Sequence, residues 1–195
     1  MIRKTSFKRN THETDISGEL NLDECNTSSI QTGIGFLDHM LTLLAFHGGI
    51  SLSLTCKGDL EVCPHHTIED IAITLGKACQ TALGEKKQIR RYGMCYMPMD
   101  EALTRTCIDI SGRAVHVFRG GFSTPAIGAF PTEMVNHFFY SFAINATITL
   151  HQEILYGAND HHIVESLFKG FARAFRDCIT IEDSKSYVPS TKGIL

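Results

Sequence analysis

The sequence predicts an α+β protein made of two copies of one half-domain, each a roughly four-stranded sheet with helices on one face. Three observations predict it. Strand-like and helix-like stretches follow one another without long gaps. The order of these stretches is repeated. Each copy carries a single His, then an alternating apolar run, then a His-His-x-x-Glu group.

The first copy opens with strand-like residues 2–9 and 13–22. Residues 36–47 have helical apolar spacing and stop at Gly48-Gly49, a C-terminal signal. Ile50, Leu52 and Leu54 alternate, as in a half-buried strand, up to a Gly58-Asp59 turn. A helix is expected over 65–83, with Ile68, Ile71, Ala72 and Leu75 inward, ending at Gly84. The second copy has strand-like stretches at 94–98 and 103–118, a helix over 132–144 and a strand over 147–155. A helix over 161–178 then turns Leu167, Phe168, Phe171, Ala174 and Phe175 inward. The halves divide as 1–92 and 93–195, near Arg91-Tyr92-Gly93, and no long linker separates them. They should pack as one unit. Residues 186–195 read as a polar tail with a short basic motif.

Composition narrows the function. A formal charge of −3 argues against nucleic acid as a bulk electrostatic partner. No apolar run reaches the length of a membrane span. The first residues, Met1 to Ser6, lead into a polar segment and not an apolar signal core. The seven cysteines include no Cys-x-x-Cys pair and read as reduced thiols. A cytoplasmic location is expected.

The histidines carry the chemistry. Positions i and i+4 of a helix share a face, so His65 with Glu69, and His161 with Glu165, can each bind one ion. His66 and His162 are rotated by about 100° from their neighbours and should serve a different ion. His39 and His137 precede the pairs by 26 and 24 positions and would complete the sites. Symmetry suggests His65, Glu69, His162 and His39 for one ion, and His161, Glu165, His66 and His137 for the other. These ligands could also come from neighbouring subunits. One such motif is weak evidence, because a lone His-His pair is usually a surface accident or a helix cap. Two copies at nearly equal spacing, using six of the ten histidines, are strong. His47, His116 and His151 read as structural.

Imidazole and carboxylate without thiolate suit Mn²⁺, Fe²⁺, Co²⁺ or Zn²⁺. Four protein ligands with positions still open favour an octahedral ion such as Mn²⁺ over tetrahedral Zn²⁺. Arg91, Arg113, Lys169 and Lys192 stand out as candidates for binding a small anion. Lys192 lies in Pro189-Ser190-Thr191-Lys192-Gly193, where hydroxyls and amides suit phosphate. Taken singly, each is an ordinary surface charge.

These segments resemble the imidazoleglycerol-phosphate dehydratase family. The matching stretches run from Thr32 to Leu41, His65 to Ile71, Arg91 to Gly93, Pro98 to Leu103 and Asp109 to Arg113. They continue with His161 to Glu165, Phe168-Lys169 and Pro189 to Gly193, covering nearly the whole chain in order. The resemblance implies dehydration of imidazole glycerol phosphate to imidazole acetol phosphate, with two Mn²⁺ ions per active site. It implies a duplicated fold like that of ribosomal protein S5 domain 2, and shells of 24 subunits with interfacial active sites. It implies Glu13 as catalytic acid/base, Arg91, Arg113, Ser190 and Lys192 as phosphate contacts, and Lys169 as another substrate contact. One departure stands out. The family usually has acidic residues just before the first His pair, where this chain has Cys63-Pro64. The hydrogen bond that such a residue gives a ligand His is therefore in question.

A mechanism follows from that resemblance. Two ions on the substrate's imidazole would stabilise its anion and acidify the adjacent carbon. Glu13 would take the proton, with Asp100, Glu101 or Glu13 itself returning one to the leaving hydroxyl. A di-metal hydrolase and a metal-storage or structural assembly are the alternative readings.

Overall fold

The computed structural model describes residues 3–25, 28–182 and 187–195. Ile2 of the first expected strand and Ser186 of the expected tail lie outside them. The first half runs β1 (Lys4–Asn10), β2 (Thr14–Asn21), β3 (Ser29–Gln31), α1 (Gly35–Gly48), β4 (Ser51–Gly58) and α2 (His65–Leu83). The second runs β5 (Tyr92–Met99), β6 (Ala102–Asp109), β7 (Val115–Arg119), β8 (Ala126–Ile127), β9 (Phe130–Pro131), α3 (Glu133–Ala146), β10 (Thr149–Tyr156) and α4 (Asp160–Ile179).

The two large sheets have the same topology. Their strand orders are β1-β2-β4-β3 and β5-β6-β10-β7. In each, the first three strands are antiparallel and the last pairs parallel. The expected strand over 103–118 is two strands. Gly112 has φ +70° and turns the chain after β6, so that β7 reaches the far side of β10. The short β3 and the β8–β9 hairpin have too few residues to leave a periodic signal. β5 starts at Tyr92, one residue ahead of the expected boundary between halves.

Each sheet is covered on one face by its own helices. α2 lies on β1 and β2 and α1 on β3 and β4, while α4 lies on β5 and β6 and α3 on β7. The helices then pack on those of the other half, α2 against α3 and α1 against α4. The molecule is a sheet–helix–helix–sheet sandwich. Its centre is aromatic. Phe138 and Phe139 of α3 contact Phe168 of α4 with ring centroids 5.3 and 4.7 Å apart, and Phe171 and Phe175 stack at 5.7 Å. All five rings are buried. Two glycines permit close approach. A Cβ on Gly76 of α2 would lie 2.6 Å from the Phe142 carbonyl of α3. One on Gly93 of β5 would lie 2.0 Å from the Ala174 carbonyl of α4.

No described helix is long and apolar enough to cross a membrane. All seven cysteines are free thiols.

Candidate metal centre and anion cleft

The ends of the helices set the site. α1 stops where Gly49 adopts φ +63° and returns its amide to the Ala45 and Phe46 carbonyls. Asn159 caps α4, its side-chain oxygen accepting from the amides of His161 (2.9 Å) and His162 (3.4 Å). Pro64 stands just ahead of α2 and its carbonyl takes the Ile68 amide at 3.1 Å. The two His pairs therefore occupy the first turns of α2 and α4.

Among the described residues two groups of ligand atoms form, and both join the halves. His39 of α1 meets His161 and Glu165 of α4, and His137 of α3 meets His65 and Glu69 of α2. Within each triad the ligand atoms lie within 4.8 Å of one another. His39 Nε2 is 2.8 Å and His161 Nε2 3.2 Å from Glu165 Oε1. His137 Nε2 is 3.0 Å from Glu69 Oε1, and His65 Nε2 is 3.8 Å from Glu69 Oε2.

This corrects the grouping expected from symmetry. That grouping put His39 with His65 and Glu69, and His137 with His161 and Glu165. The helix packing decides otherwise, because α1 faces α4 and α3 faces α2. His66 and His162 do not join either triad within the chain.

The donor sets fit a divalent ion. Each triad offers two imidazoles and one carboxylate, converging and without thiolate, which suits the borderline-to-hard divalent metals. The triads differ in their surroundings. Burial pushes the Glu165 carboxyl up, but hydrogen bonds from Lys169 and His39 and the Lys169 charge overcome this and hold it at about 2. Glu165 is thus ionised, with Oε2 on Lys169 and Oε1 facing His39 and His161. The Glu165 side chain is 8% exposed and that of Glu69 36%. The difference lies in the carboxylates, since the histidines of the first triad are no more buried than those of the second.

The other histidines of the pairs turn to carboxylates. His66 Nδ1 is 2.9 Å from Asp59 Oδ2, and His162 Nδ1 is 2.7 Å from Glu101 Oε2. These bonds raise the pKa of both imidazoles. Glu101 also accepts the Ala158 and Asn159 amides, and the His162 bond leads the causes that hold it at about 2. Glu13 lies on the β1–β2 turn with Oε1 3.6 Å from His66 Nε2. That turn is pinned to α2 because Asp70 accepts from Arg9 (2.7 Å) and Thr14 (2.6 Å). In the second half, Asp100 Oδ2 lies 3.7 Å from His162 Nε2. Asp59 has no signal in the sequence beyond the Gly58-Asp59 turn, a feature that by itself implies only a change of chain direction.

Four of the five anion candidates share one cleft. Arg91, Arg113, Ser190 and Lys192 line a space of about 870 Å³ with Tyr92 and Tyr187. Arg91 is fixed there, donating to Asp109 (2.7 Å) and to the Pro189 carbonyl (2.8 Å). Ser190 Oγ accepts the Lys192 amide at 3.2 Å. Lys169 is elsewhere, with Nζ on Glu165 and 3.3 Å from Met99 Sδ. The cleft is at the far end of α4 from the metal ligands. The Arg91 amide donates to the carbonyl of Cys178, 17 positions after His161, or roughly 25 Å along a helix.

These features define an internally duplicated α+β protein with two triads able to hold metal ions. The family model described as imidazoleglycerol-phosphate dehydratase matches residues 32–175. The imidazoleglycerol-phosphate dehydratase of Oceanobacillus iheyensis is 53% identical over 194 residues, covering 100% of each chain. That of Methylobacterium radiotolerans is 52% identical over 195 residues, also covering 100% of each. The crystal structure of the Staphylococcus aureus enzyme superposes with a TM-score of 0.84 at 39% identity, over 92% of this chain and 99% of that one. The Pyrococcus furiosus enzyme, in complex with (S)-C348, gives 0.83 at 38%, over 97% and 100%. The chain belongs to the imidazoleglycerol-phosphate dehydratase family, a family of hydro-lyases in histidine biosynthesis.

Proposed function

We propose that this protein dehydrates D-erythro-imidazole glycerol phosphate to imidazole acetol phosphate in the cytoplasm, with two Mn²⁺ ions per active site and residues from more than one subunit. The observation that carries the reading is the pair of His/Glu triads, built at matching repeat positions in a chain of this family.

His39, His161 and Glu165 would hold one ion, and His65, Glu69 and His137 the other. His66 and His162 lie outside both triads and would complete those of neighbouring subunits. Four protein ligands then leave an octahedral ion with open positions, which favours Mn²⁺. When bound, the two ions would supply Lewis acidity to the substrate's imidazole and acidify the adjacent carbon.

The distance along α4 supports an interfacial site. Arg91, Arg113, Ser190 and Lys192 would hold the phosphate, yet in one chain they sit a helix length from His161. A neighbour must bring a cleft to a triad. A closed shell of 24 subunits, which the family resemblance implies, would provide such neighbours. Lys169, beside Glu165, would contact the substrate near the ion.

The proton chemistry falls to the exposed carboxylates. Glu13 is next to an outward histidine and would take the carbon-bound proton. Glu101 is engaged by His162 and two amides, so it is a poor proton donor. Asp100 and Glu13 remain as the groups that return a proton to the leaving hydroxyl.

Incubating the Mn²⁺-loaded protein with imidazole glycerol phosphate tests the reading. The expected product is a ketone that absorbs in the ultraviolet after base treatment. Free phosphate instead would mean hydrolysis. No turnover by the fully metallated particle would leave a storage or structural role.

A further inference from the structure

Cys63-Pro64, directly ahead of the first His pair, offers no carboxylate to it. The structure nevertheless places a carboxylate on His66 from another position. Asp59, at the end of β4, holds His66 Nδ1 at 2.9 Å. Its side chain is only 20% exposed, and its amide donates to the Glu13 carbonyl at 3.1 Å. The second half reaches the same arrangement by a different route. Glu101, on the β5–β6 turn, holds His162 Nδ1 at 2.7 Å. Its other oxygen accepts the Ala158 (3.2 Å) and Asn159 (2.8 Å) amides, which fixes it against the start of α4.

The two carboxylates are not equivalents in the repeat. Asp59 follows β4, and the matching residue after β10 is Gly157. Glu101 belongs to a hairpin whose first-half counterpart carries Glu13. Two unrelated loops thus deliver a carboxylate to the same nitrogen of equivalent histidines. Inheritance from a common half does not account for that. A shared demand on His66 and His162 does.

We propose that Asp59 and Glu101 are positioning residues that hold His66 and His162 in the Nδ1–H form, leaving Nε2 as the metal-binding atom. A carboxylate behind a ligand imidazole fixes its tautomer and orientation and makes it more basic. In this chain Asp59 fills that role without help from positions 63 and 64. The proposal rests on His66 and His162 being metal ligands.

Mn²⁺ affinity of the assembled protein, measured by competition with a chelator, tests both levels. His66→Ala should weaken Mn²⁺ binding; if it does not, the ligand reading fails and the positioning role with it. Asp59→Ala should weaken binding by about 10- to 100-fold. Asp59→Asn keeps an acceptor without the charge and should lose less; it also stands in should the alanine variant not fold. In the His66→Ala background, Asp59→Ala should have no further effect. Parental affinity in Asp59→Ala, or an equal loss with and without His66, overturns the proposal. Solid-state ¹⁵N spectra of metal-free protein should show His66 leaving the Nδ1–H form in Asp59→Ala and keeping it in Asp59→Asn. Glu101→Ala and Glu101→Gln should behave likewise through His162.

Discussion

His39 and Glu165 are 126 positions apart in the chain and 2.8 Å apart in space, and they come from opposite halves of the repeat. The contact exists because α1 packs on α4 across the middle of the sandwich. Glu165→Gln removes the buried anion that both His39 and His161 face. We expect a fall in bound metal, read by elemental analysis, with a loss of affinity at least as large as the ~10- to 100-fold typical of outer partners. Unchanged metal content would remove Glu165 from the ligand set.

Glu13→Gln separates chemistry from binding. It stays on a hairpin pinned by Asp70, and it is in neither triad. Metal content and substrate affinity should persist while kcat falls by about 10²- to 10⁴-fold. Full turnover would exclude Glu13 as the base.

Lys192→Ala isolates the anion cleft. Arg91 is a poorer choice because it also ties down Asp109 and Pro189. A charge-assisted hydrogen bond contributes about 1.5–3 kcal/mol, so KM and the inhibition constant of inorganic phosphate should rise by roughly 10- to 100-fold. Values equal to the parent's would place phosphate elsewhere.

His116 should make stability pH-dependent. Burial pushes its pKa down to about 4, against an opposing contribution from Gln152. The folded protein keeps the ring neutral, while the unfolded chain protonates it near the ordinary value of 6.5. Between these values the unfolded state binds more protons, so stability falls as pH drops from about 6.5 through about 4. The difference in Tm between the parent and His116→Asn, both metal-saturated, should change across that window. A constant difference would show that His116 does not contribute.

Gly93→Ala tests the sandwich itself. The added Cβ would meet the backbone carbonyl of Ala174, which cannot move without shifting α4. Overpacking of this kind costs about 1–3 kcal/mol or more. A lower denaturation midpoint with an unchanged m-value is expected, and an unchanged midpoint would mean that β5 and α4 part easily.

Much of this was legible in the sequence. The four helices and the core positions, from Ile68 and Leu75 to Phe171 and Phe175, follow from apolar spacing, and the duplication follows from the repeated His pattern. What spacing lacks is direction between elements. It could place His39 and His65 on helices, but not say that α1 turns to α4 and not to α2. That depends on how two sheets stack, a contact between halves that leaves no local period. The same limit hid Asp59, whose role needs the path from β4 into α2. Glu101 was visible as a carboxylate on a turn, but only its three acceptor contacts mark it as engaged.

The crossed packing has a consequence for origins. Each triad draws one histidine from one half and a His/Glu pair from the other, so a half-length chain could not assemble either triad alone. Two copies related by a two-fold axis could have built both, as identical centres at a dimer interface. Fusion into one chain removes that enforced identity and lets the centres drift apart. Lys169 beside Glu165 records such drift, since the corresponding place beside Glu69 is Ile73.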